Sequence, residues 1–80
     1  MKIYDFELIE TIERKYEGDI YIAQVKVDTG WLLWKKTKTL KVTRTYGGPW
    51  FFIETGKFTY GFVVEELARS WSAKNGYKDV

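Results

Sequence analysis

Lys35, Lys36, Lys38, Lys41 and Arg44 fall within ten consecutive positions, flanked by Trp31, Trp34, Tyr46 and Trp50. Proteins that bind single-stranded nucleic acid interleave residue types in this way: cationic side chains track the phosphates and aromatic faces stack on the bases. The same pattern has a second physical meaning. Lysines on an exposed or edge strand block edge-to-edge pairing, while the aromatic residues beside them fill a core. Overall basicity is mild, with a net charge of +2 and a sequence pI near 8.8, which favours the second meaning. Charge is also segregated along the chain. Residues 1–30 carry four basic against seven acidic side chains and residues 31–60 carry six against one, so the acidic first third can neutralise the basic middle third.

Other candidate motifs lack the partners their chemistry needs. Asp28-Thr29-Gly30, preceded by Val27, resembles the active-site triplet of retroviral-type aspartic proteases. That chemistry needs two such loops sharing one proton across a dimer or a duplicated chain. Here Trp31 stands where that family carries a small residue, and no second motif of the kind follows. Asp-Thr-Gly between two strands is an ordinary turn, with Gly taking the left-handed position. Glu54-Thr55-Gly56-Lys57 lacks the first glycine and the terminal Ser/Thr of a phosphate loop, since Phe51 and Phe58 occupy those positions. Gly47-Gly48 lacks the spacing of a dinucleotide fingerprint.

The carboxylates are spaced as solvated faces: Glu7, Glu10 and Glu13 along one segment, and Glu65 four residues before Arg69 as a helical surface pair. The chain has no Cys and no His, which removes disulfides, thiolate chemistry, the commonest metal ligand and the usual neutral-pH acid-base group. The expectation is a protein that is not an enzyme and uses neither cofactor nor metal.

The elements that must position these residues follow from periodicity. Over residues 2–13, Tyr4, Phe6, Leu8 and Ile12 alternate with Asp5, Glu7, Thr11 and Glu13, the period-2 pattern of a half-buried strand, although Ile3 and Ile9 interrupt it. A helix capped by Asp5 and ended by Gly18 competes for the same residues, and the strand is preferred. Residues 20–27 are rich in β-branched side chains and apolar on both parities, as in a central strand. Residues 31–46 form a Thr-rich strand, either continuous or bent near Thr37, whose odd positions from Lys35 to Thr45 are all polar. Gly47-Gly48-Pro49 turns the chain into a short strand over 50–54. Val63, Val64, Leu67, Ala68 and Trp71 recur at helical spacing, with Lys74 in the last turn and Asn75-Gly76 as a stop, which predicts a helix over 62–75 with Leu67 and Trp71 buried.

Eighty residues allow one domain, here 1–80, of α+β class: a three- or four-stranded antiparallel meander with one C-terminal helix packed on the sheet. A chain this short buries only roughly 60% of its unfolded surface, so large side chains must supply the core. Fifteen aromatic residues do so, and they exceed what one sheet-helix interface readily buries, so some reach the surface. No stretch is long and apolar enough to span a membrane, and the first residues lack an apolar signal region, so a soluble, cytoplasmic protein is expected.

The size, compact plan and lack of a catalytic centre resemble the small accessory proteins of phages and mobile elements. No motif carries that likeness; an inhibitor or adaptor that binds another protein is expected from the surplus of aromatics, residue types that anchor protein contacts. The leading expectation is therefore a non-enzymatic module with a protein partner, and the alternative is nucleic-acid binding by the basic segment. The candidate surface comprises Trp31, Lys35, Lys36, Lys38, Lys41, Arg44, Tyr46 and Trp50.

Overall fold

A computed structural model describes residues 2–28, 36–59 and 62–77. Four antiparallel strands, β1 (Lys2–Ile12), β2 (Ile20–Asp28), β3 (Thr37–Thr45) and β4 (Phe51–Phe52), pair in the order β1-β2-β3-β4, followed by one helix, α1 (Val63–Asn75). This is the expected α+β meander with a C-terminal helix on the sheet. No helix among the described residues is long and apolar enough to cross a membrane.

β2 organises the sheet. Its odd positions Ala23, Val25 and Val27 are completely buried, whereas Gln24 and Asp28 are half-buried and Lys26 is exposed. Because successive side chains alternate between faces, the odd positions define the side that α1 covers and the even positions define an uncovered side. Residues paired across strands share a face, so the register extends this division. Leu40 and Val42 of β3 lie on the helix side opposite Val25 and Ala23, while Thr39, Lys41, Thr43 and Thr45 lie on the uncovered side. Phe52 continues the helix side opposite Val42, and Phe51 continues the uncovered side opposite Thr43.

β1 departs from the parity read in its sequence. Its register slips by one residue between Tyr4 and Glu7 and again between Leu8 and Glu10, relative to a regularly stepping β2. Each slip is a β-bulge that exchanges the faces of the residues beyond it. Ile3 therefore packs on the core opposite Val27, and Phe6 and Leu8 follow it after the first bulge. Tyr4 and Ile12 pair with Lys26 and Ile20 on the uncovered side. Asp5 makes the first bulge by adopting φ 53°, a left-handed conformation that Asp tolerates better than most residues. Its carboxylate lies 3.4 Å from Lys26 Nζ across the bulge. Asp5→Val should lower stability by about 1–2 kcal/mol, because a β-branched residue is strained there, whereas Asp5→Asn should stay near the parent. Urea unfolding of the two variants measures the difference, and equal midpoints would remove the strain argument.

The 13–19 connection is longer than a tight turn and is tied by Arg14. Its Nε donates to Gly18 O at 2.8 Å, and its guanidinium pairs with Glu17 Oε2 at 2.9 Å. Gly18, at φ 84°, supplies the left-handed residue this loop needs.

β4 is shorter than the strand read over 50–54. It is two residues long and folds back at once, with Gly56 N–H donating to Phe52 O, Phe52 N–H to Lys57 O, and Thr59 N–H to Trp50 O. Residues 50–59 thus form a small hairpin added to β3.

α1 starts one residue later than expected and ends where expected, with Gly76 left-handed at φ 72°. Glu65 and Glu66 in the first turn and Lys74 in the last complement the helix dipole. Its buried line is Val64, Ala68 and Ser72, while Val63 is exposed and Leu67 and Trp71 flank the line half-buried. Small residues, with Trp71 at the rim, make up the buried line of the helix. The expected Glu65–Arg69 pair does not form, and Glu65 Oε2 is buried without a hydrogen-bond partner among the described residues.

Candidate interaction surface

The structure divides the basic segment between environments. Trp31 and Lys35 lie outside the described residues, as does Trp34; β3 begins at Thr37, and positions 31–35 of the expected long strand lie outside the described residues. Lys36 and Lys38 are exposed. Lys38 and Arg44 have the helix-side parity, opposite Val27 and Tyr21, whereas Lys41 has the other parity, opposite Gln24. Alternation along a strand thus separates the cations that sequence proximity had grouped.

The aromatics separate as well. Tyr46 is exposed at the end of β3, but Trp50 is completely buried and cannot stack on a base. Its ring meets Phe6 edge-on at 5.4 Å, and Phe6 in turn meets Trp71 at 6.0 Å. Arg44 lies over Trp50 at 5.6 Å, which makes its guanidinium a lid on the core. Trp50 leaves the candidate surface because the turn at 47–49 swings it onto the helix side. Neither Trp50 Nε1 nor Arg44 Nε has a hydrogen-bond partner among the described residues. Beside Arg44, burial, reinforced by the Asp19 carboxylate, pushes the Tyr21 phenol above its usual range.

Asp28 does not hold its carboxylate free for chemistry. Its Oδ1 accepts the Tyr4 hydroxyl at 3.0 Å and the Thr37 hydroxyl at 3.1 Å, tying the ends of three strands together. An open depression of about 370 Å³ lies at the first bulge, between Phe6, Val25 and Trp71 on one side and Asp5, Glu7 and Lys26 on the other. Its polar groups satisfy one another: Asp5 pairs with Lys26, and Gln24 Nε2 donates to Glu7 Oε2 at 3.2 Å. Among the described residues, no three acidic side chains gather as a metal site.

A surface that sequence reasoning missed lies on the sheet side away from α1. Ile20 and Ile22 sit at its centre on β2, with Ile12 beside Ile20 and Phe51 beyond Thr43. Phe51 and Phe58 stack at 4.5 Å, and Phe58 is 59% exposed. Ile12 is also exposed, so the patch combines aliphatic and aromatic side chains. The apolar parity of Ile20 and Ile22 was visible in the sequence. Which parity faced the helix was not.

Comparisons with known protein families, curated proteins and solved structures found no match to this chain.

Proposed function

We propose that this protein is a non-enzymatic interaction module that binds another protein through the side of its sheet that α1 leaves uncovered, acting as an adaptor or inhibitor. The observation that carries this reading is the patch of Ile12, Ile20, Ile22, Phe51 and Phe58 on that side. Ile12 and Phe58 are exposed there and Ile20, Ile22 and Phe51 are half-buried, and apolar surface bordered by polar side chains is the usual mark of protein contact. Here the border is the Thr and Lys row of β3 and the Glu row of β1.

Nucleic-acid binding is the alternative, and the division of Lys38, Lys41 and Arg44 between two faces weighs against it, as does the burial of Trp50. Labelled single- and double-stranded oligonucleotides, titrated at two salt concentrations, test the choice. We expect affinities no tighter than about 0.1 mM at physiological salt, unchanged in Lys36→Glu/Lys38→Glu. Sub-micromolar binding that weakens steeply with salt and is lost in that variant would reverse the assignment.

A further inference from the structure

The uncovered face carries a charge pattern that matches itself. Glu7, Gln24 and Lys41 form one row across β1, β2 and β3, with the acid and the base on opposite sides of the central strand. On this face β1 presents Glu7 and Glu10 against Lys2, while β3 presents Lys41 and no acid. A twofold axis lying in the face and running along β2 superposes the β1 side of one copy on the β3 side of the other. Glu7 then meets Lys41 of the second copy, and Lys41 meets its Glu7. Ile20 and Ile22, next to the axis, meet their own counterparts. Lys26, also near the axis, keeps its own Asp5 as counter-ion.

We propose that the partner this face fits is a second copy of the chain, stacked face to face as a symmetric dimer. The proposal rests on the protein-binding reading above and names its partner. Charge complementarity supports it, since the Glu7–Gln24–Lys41 row is self-complementary under that axis. Edge-to-edge pairing through β1 is the competing symmetric arrangement. Two bulges interrupt that edge, and it would set acidic strand against acidic strand.

Sedimentation velocity over a concentration series tests the proposal, with a thermal melt confirming that each variant folds. The parent should pass from monomer to a species of twice the mass. Glu7→Lys and Lys41→Glu should each weaken the dimer tenfold or more, because the symmetry repeats each like-charge contact. The double variant Glu7→Lys/Lys41→Glu should restore it, since the reversed row is again self-complementary. A parent that stays monomeric, or a dimer indifferent to the single reversals or not rescued by the double one, overturns the proposal. If the monomeric parent still captures a protein and loses it with Ile22→Asp, the protein-binding reading survives with a different partner. If that capture is also absent, both fall.

Discussion

Trp50→Ala unfolds the domain or leaves it at the margin of stability. Trp50 is completely buried, touches Phe6 edge-on, carries Arg44 over its ring, and offers its carbonyl to both the amide and the hydroxyl of Thr59. Its removal empties the junction between β1, β3 and the 50–59 hairpin. Truncating a core aromatic costs about 3–5 kcal/mol. A chain of this length has only about 4–12 kcal/mol in total. Trp71→Ala should cost less, because Trp71 is half-buried at the rim and keeps part of its surface in water. Thermal melts of the two variants beside the parent measure the order. A Trp50→Ala melt superimposed on the parent, or a larger loss at Trp71, would contradict this account of the core.

Ala68→Asp should detach α1. Ala68 is 1% exposed in the middle of the buried line, between Val64 and Ser72, on a helix that packs beside β1. An aspartate at that site must either bury an unpaired charge, at several kcal/mol, or lift the helix. Ala73→Asp, on the exposed side of the same helix, is the control and should change stability by no more than about 0.5 kcal/mol. Urea unfolding followed by Trp fluorescence distinguishes the outcomes. Equal midpoints for the two variants would mean that α1 is not docked through this line.

The helix was legible in the sequence because its apolar residues repeat over three turns and a glycine ends it. Within it, Ser72 escaped notice: a small polar residue gives no periodic apolar signal, yet the docked helix buries it. The meander was legible from the β-branched run of β2, the Thr-rich run of β3 and the turn chemistry at Gly47-Gly48-Pro49, whereas the turn read at Asp28-Thr29-Gly30 runs outside the described residues. The faces of β1 were not. Ile3 and Ile9 registered there only as interruptions of the alternation, whereas the bulges that follow Tyr4 and Leu8 make that irregularity a rule. A bulge depends on pairing with β2, which no single-strand pattern contains. The basic cluster had a similar weakness. Closeness in sequence grouped Lys38, Lys41 and Arg44, and the pleat separates them. Trp50, adjacent to that cluster in sequence, turned out to be its neighbour in the core. The surplus of aromatics was a sounder signal, since Tyr16, Tyr46, Phe58, Phe62 and Tyr77 do reach the surface.

Affinity capture from a nuclease-treated lysate of the source organism tests the central claim, that the uncovered sheet face binds protein. The immobilised parent is compared with Ile22→Asp, which places a charge at the centre of the apolar patch, and with Lys36→Glu/Lys38→Glu, which reverses charge off it. Circular dichroism confirms that both variants fold. The account predicts a discrete protein captured by the parent after nuclease treatment, retained by the lysine variant and lost with Ile22→Asp. Capture that disappears with nuclease, or that Ile22→Asp leaves untouched, would contradict it.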